Sequence, residues 1–359
     1  MLTTNQNVMT NSKLRNTYID TARGIGILLL ILGHIVTANS YLFNWIYSFH
    51  MPLFFFLSGM VVNEKNFCNF PTYIKKKNKA RLLPYFVITF LGIIICMIIP
   101  QYRKDAIALG LTAHIVNIFL YLRPAWLYIG QVWFLPALFW SEIYFYGFYK
   151  LVGKKHIFIQ LATSLIFVVG ARYIWYLDPY IPITRRVPFL LDVAFMGTFC
   201  YILGFFAKKL CIFERINKWW SLPLIPILLV INIYFGTYLN GYVNMCDLVF
   251  VDAFRYITAM IAGVGFILLL SLFIQKIRFL QWLGRYSLPL FASHTFIIYL
   301  VREIVYHITG TYYTMMADVP NKLAVLMTIG VLIFLIPIGL LYSFLQSQLK
   351  KLSLLKKQA

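Results

Sequence analysis

The chain reads as a succession of apolar runs, each about twenty residues long, divided by short polar segments that hold most of its charge. A helix needs about 20 mostly apolar residues to cross the hydrocarbon core of a bilayer. Such runs fall at 24–43, 45–62, 82–100, 131–149, 157–176, 189–207, 220–239, 253–274, 286–306 and 323–346, which predicts ten membrane-spanning helices. The first run is too long for a signal peptide and has no small-residue cleavage site, so it is expected to stay as a helix. The stretch 105–129 is ambiguous. It carries Asp105, His114 and Arg123 among Leu, Ile and Tyr, and suits either an eleventh span or a helix lying in the interface.

The positive charges decide between these topologies. With ten spans and the N-terminus inside, the cytoplasmic segments collect Lys13, Arg15 and Arg23, the cluster from Lys65 through Lys75–Lys76–Lys77 and Lys79 to Arg81, then Lys154 and Lys155, Lys208 and Lys209, Arg278 and Arg285, and the C-terminal lysines. These groups hold most of the 32 Lys and Arg residues. An eleventh span would place Lys154, Lys155, Lys208 and Lys209 outside, against the positive-inside rule. The expectation is therefore an all-α integral membrane protein: a bundle of about ten transmembrane helices, both termini cytoplasmic, with 105–129 an outer-face interfacial or re-entrant piece. It forms one domain over 1–359, with 1–17 a cytoplasmic tail, 18–346 the bundle and 347–359 a basic cytoplasmic tail.

Composition agrees. The chain is 61% hydrophobic and only 12% charged, against about 25% charged in soluble domains. Its formal charge of +21 would point to nucleic acid in a soluble chain, but here the basic residues are split among membrane loops, so membrane lipids are expected and nucleic acid is not. The five cysteines include no CxxC pair and no cluster with metal-ligand spacing, so neither a disulfide framework nor a metal site is expected. There is no P-loop, GxGxxG or GxSxG, which argues against nucleotide hydrolysis and serine-hydrolase chemistry.

Ionisable residues at membrane depth are rare and usually functional. Arg23 and His34 are eleven residues apart; at about 100° per residue they share one face of a helix, separated along its axis by roughly 16 Å. The plainer alternative is an arginine snorkelling to lipid phosphate and a histidine satisfied inside the bundle. His50, opening the next run, is expected near the level of His34 across a tight hairpin, so that the two imidazoles approach each other. A neutral imidazole is a natural general base for a hydroxyl at neutral pH. His294, in the ninth run, is a third candidate, or else simply bonds a carbonyl. Arg81 ends the most basic loop, 63–84, and is expected to be placed by Pro84 at a helix start, either as part of a phosphate site for an anionic cofactor or as a lipid anchor. Asp192, with Arg185 and Arg186, lies at the outer side as an acceptor-binding candidate; N-terminal capping of its helix is the alternative.

Taken in order along the chain, these pieces resemble a known family. Arg23 and His34 read as an R-x10-H signature, followed by Phe49-His50-Met51-Pro52-Leu53-Phe54-Phe55-Phe56-Leu57-Ser58-Gly59, Arg81-Leu82-Leu83-Pro84-Tyr85, Trp133-Phe134-Leu135, Pro188 through Asp192, and Gly284-Arg285-Tyr286-Ser287-Leu288 leading to His294. The sequence resembles the membrane acyltransferase-3 family, and within it the fucose 4-O-acetylase-type branch. The resemblance covers about 18 to 300. It implies an O-acyltransferase of the cytoplasmic (inner) membrane that moves an acetyl group from acetyl-CoA to a hydroxyl of a cell-envelope glycan carried on a membrane lipid. His34 would be catalytic, as general base or transient acyl carrier, with His50 beside it. Arg23 and Arg81 would face the cofactor, and Asp192 and His294 the acceptor. Another short acyl group in place of acetyl remains open.

The sequence departs from the family in one block. Many relatives carry H-x-W-S-L-x-x-E near the fourth span, where Gln131, Phe134 and Leu138 stand at the histidine, serine and glutamate positions, with Glu142 one turn further on. The competing class is a polysaccharide exporter without acyl-transfer chemistry; against it, no inverted repeat and no pair of matching broken helices is visible.

Overall fold

The computed structural model describes residues 16–358, apart from 65–66, 100–102, 105–106, 109, 125–128, 178–186, 217–218 and 314–318. Among the described residues the regular structure is helical, broken only by an isolated antiparallel bridge between Asn244 and Val249. The helices that matter for the site are α1 (Thr17–Gly33), α2 (Tyr41–Tyr47), α3 (His50–Met60), α4 (Phe70–Ile98), α5 (Leu111–Ile115), α6 (Phe134–Val152), α7 (Ile157–Leu177), α8 (Leu191–Lys209), α9 (Leu224–Ile233), α10 (Ala253–Ile274), α11 (Arg278–Arg285), α12 (Ser287–Thr309) and α13 (Asn321–Gln358). Six of them, α4, α7, α8, α10, α12 and α13, are long and apolar enough to cross a membrane. The apolar window of α8 is 78% buried against 22% for α4 and for α7, so α8 is central and the other two are outer helices.

Two helix crossings hold the centre at backbone distance. A Cβ on Gly24 would collide with the carbonyl of Leu280, and one on Gly284 with the carbonyl of Asp20, so α1 and α11 touch main chain to main chain. Gly59 and Gly204 do the same for α3 and α8, against Tyr201 and Phe56. Between lipid-immersed helices the hydrophobic effect gives little net attraction, and close packing over small residues is what holds such pairs together.

Several expected elements are drawn differently. The runs 24–43 and 45–62 form three helices, not two. α1 stops at Gly33 and Asn39 turns with φ 60°, after which Ser40 caps α2 by accepting the Phe43 amide at 3.2 Å. The chain breaks again at Ser48–Phe49 before α3. The polar segment Thr37–Ala38–Asn39–Ser40 is short enough to vanish in an averaged apolar run, yet its side chains favour turns over helix. The basic loop 63–84 is helix from Phe70 onward, so Pro84 lies inside α4 and does not start it. The start is fixed by Asn69, which accepts the Thr72 amide at 3.2 Å, with Pro71 in the first turn. At the far end α13 runs on to Gln358, so 347–358 is a helical extension where a tail was expected.

The stretch 105–129 holds α5 followed by a π-helical turn, Val116–Leu120, and is too short there to span. Leu122 then takes φ 52° and turns Arg123 into the bundle, where it is 4% exposed. The run 220–239 is α9 continued by π-helical turns over Tyr234–Leu239.

Candidate active site

Along one face of α1, Arg23, Ile27, Leu30 and His34 follow each other at helical spacing, and two cavities open onto that face. The first, about 200 Å3, is lined by Arg23, Ile27, Phe54, Ser58, Arg81 and Phe134 with further residues of α6 and α12. The second, about 340 Å3, is lined by Leu30, His34, Tyr47, His50, Gln131 and Trp133, with Arg123, Asn244 and Asp247 on its far side. Phe291 of α12 lines both.

In the first cavity, Arg81 is fixed by Glu142. Its Nε donates to Oε2 at 3.2 Å and its NH2 to Oε1 at 3.0 Å, while Lys77 Nζ donates to the same Oε1 at 2.8 Å. The Glu142 side chain is 2% exposed and the Arg81 side chain 29%, so the carboxylate is sealed behind a guanidinium that still reaches the opening. Two cations thus share one carboxylate, and no Asp or Glu stands among the described residues lining the cavity. A space edged by two arginines and closed by apolar rings is suited to a phosphate-bearing ligand with a less polar arm.

The second cavity brings imidazoles together. His34 is the C-cap of α1, and its ring lies 5.1 Å from that of His294 and 6.3 Å from that of Tyr47. The His50 ring also packs against Tyr47, with ring centroids 4.7 Å apart. His34 and His50 therefore line one cavity, where Tyr47 is in ring contact with both of them and His294 packs against His34 as well. His50 Nδ1 is 2.9 Å from the carbonyl of Ile46, and His294 Nδ1 is 2.7 Å from that of Phe291. A carbonyl only accepts, so in both rings Nδ1 carries the proton and Nε2 keeps the lone pair. For His294 that Nε2 is buried and has no hydrogen-bond partner among the described residues. The carbonyl-bonded alternative for His294 and its place beside His34 both hold at once.

Asp192 lies in the first turn of α8, buried, and its carboxylate meets the Arg123 NH2 at 3.3 Å. Arg123 reaches the cavity while Asp192 stands behind it; the guanidinium also approaches Asp247 Oδ1 at 3.5 Å, and Asn244 Nδ2 donates to the other Asp247 oxygen at 2.9 Å. Arg185 and Arg186, grouped with Asp192 from the sequence, lie outside the described residues.

Four residues at the site were not singled out as site candidates from the sequence. Gln131, at the position where relatives carry histidine, donates to Thr295 Oγ1 at 2.8 Å and faces the His34 cavity. Asp247 and Asn244 come in from a loop without a distinctive motif. Arg302 of α12 is 1% exposed, and its NH2 donates to the carbonyl of His34 at 3.1 Å. The rule that ionisable groups inside spans are functional candidates would have found Arg302, since it falls within the run 286–306.

The arrangement combines an arginine-edged pocket, a stripe leading away from it, and a histidine-lined chamber at the other end. No curated protein and no solved structure matches the chain. The profile of the acyltransferase-3 family, described as an acyltransferase domain, matches residues 16–345, so the chain belongs to that family and is a multi-pass membrane O-acyltransferase.

Proposed function

We propose that the protein transfers an acetyl group from acetyl-CoA to a hydroxyl of a lipid-linked cell-envelope glycan. In this reading ten segments cross the inner membrane, both termini are cytoplasmic, and the Arg23 cavity opens to the cytoplasm. The CoA phosphates dock on Arg81, Arg23 and Lys77, and the pantetheine arm runs along Ile27 and Leu30 over the roughly 16 Å to His34. The acceptor occupies the second cavity. A ring nitrogen of His34 takes the hydroxyl proton as the oxygen attacks the thioester carbon; the C–S bond breaks, and the proton passes to the departing CoA sulfur. His50 lies within the same chamber, placed to orient the acceptor, while His294 supports the His34 ring. Arg123 and Asp247 offer the acceptor charged hydrogen-bonding partners, with Asp192 holding Arg123 in place.

The observation that carries this reading is the single face of α1 that joins Arg23 in one cavity to His34 in the other. The test is the His34→Ala variant, expressed and inserted at normal levels, followed by compositional analysis of the surface glycan. Loss of O-linked acetyl is expected; unchanged acetylation overturns the assignment.

A further inference from the structure

A base beside a thioester activates water as readily as it activates a sugar hydroxyl, so a chamber holding His34 needs a means of keeping the donor from water until the acceptor is in place. The two cavities meet at one side chain. Phe291 is 7% exposed and lines both, with its ring 5.8 Å from that of Phe134 and 6.0 Å from that of His294. Phe134 belongs to the first cavity and packs edge-on against Phe55 at 4.9 Å and against Phe54 at 6.0 Å. Gly26 of α1 leaves room for the tip of Phe54, which a Cβ there would meet at 2.9 Å. Across from Phe291, α1 passes from Ile27 in one cavity to Leu30 in the other. The ring of Phe291 is therefore a wall common to the cavity of the arginines and the cavity of the histidines.

We propose that Phe291 decides whether water or the acceptor receives the acyl group. With no donor threaded past it, the ring closes the His34 chamber to water from the arginine side. With the pantetheine arm in place, the ring packs along that arm and keeps the passage dry. The reaction it suppresses is hydrolysis: water loses a proton to His34, its oxygen bonds to the thioester carbon, the C–S bond breaks, and acetate and CoA thiol leave. This inference rests on the donor route given under Proposed function.

The experiment uses the full-length protein in lipid nanodiscs with acetyl-labelled acetyl-CoA and no added acceptor, and follows released acetate. Phe291→Ala is expected to release acetate at least about tenfold faster than the wild type, with Phe291→Leu in between. The double variant Phe291→Ala/His34→Ala is expected to fall back to the wild-type rate. A gain of hydrolysis that depends on His34 is not what a general packing defect produces. If Phe291→Ala fails to insert, Phe291→Leu carries the test against the same His34→Ala background. Variants that bind acetyl-CoA in equilibrium dialysis yet hydrolyse it no faster than the wild type overturn the inference alone, as does a gain that persists without His34. Wild-type protein that binds no acetyl-CoA overturns the donor route, and this inference with it.

Discussion

The two cavities differ in how their arginines are neutralised. Arg81 and Lys77 converge on a single carboxylate, Glu142, and Arg23 lines the same cavity. Arg123 is met by two carboxylates, Asp192 and Asp247, while the polar groups around it are mainly imidazoles, amides and hydroxyls. Two cations, Lys77 and Arg81, sharing one buried acid leave binding capacity for a polyanion. An arginine matched by two acids has little left for another anion and serves to hold neutral partners in place. Under the proposed function, this difference matches charge recognition at one end of α1 and proton chemistry at the other.

The comparison can be broken most sharply at His34. His34→Ala should lower the rate of acyl transfer by about 10²–10⁴-fold while leaving acetyl-CoA binding intact, measured by single-turnover transfer and equilibrium dialysis. A parallel loss of binding would mean that the two ends of α1 do not divide their tasks. Next in size is Arg123→Met, which strands Asp192 as a buried charge; it should cost about 3–5 kcal/mol of stability, seen in thermal unfolding of detergent-solubilised protein. The double change Arg123→Met/Asp192→Leu should recover part of that loss. Arg81→Met should raise the KM for acetyl-CoA by about 10- to 100-fold with a smaller change in kcat, as expected for removing a charge-assisted contact of about 1.5–3 kcal/mol. The smallest effect is that of salt. Raising ionic strength should raise the donor KM several-fold and leave the acceptor KM nearly flat, because exposed phosphate contacts are screened and buried hydrogen bonds are not.

The stripe Arg23–Ile27–Leu30–His34 was legible because it depends only on the period of one helix, and the six long spans were legible because their apolar character is continuous. The breaks at Asn39 and Ser48 were hidden by averaging, since a few turn-forming residues scarcely change the hydropathy of a twenty-residue window. At α4, the dense charge of Lys75–Arg81 has the pattern of a loop, and only the local capping sequence Asn69-Phe70-Pro71-Thr72 marks the helix start. The Arg123–Asp192–Asp247 cluster joins a π-helical turn, a helix start and a distant loop, so no local pattern announces it. Glu142 stands beside the altered family block, but its partners Lys77 and Arg81 lie on another helix, where spacing alone gives no pairing.

The way α1 is fastened has a consequence for what the enzyme tolerates in its donor. Near Arg23 the helix is clamped by the backbone contact of Gly24 and Gly284, and at the other end the His34 carbonyl is tied by Arg302. Between those fixings α1 is unbroken helix, so the interval from Arg23 to His34 behaves as an inextensible gauge. On the proposed donor route, a thioester cut short of its nucleotide would have to give up either the arginines or the histidine, for α1 has no slack with which to bring them together.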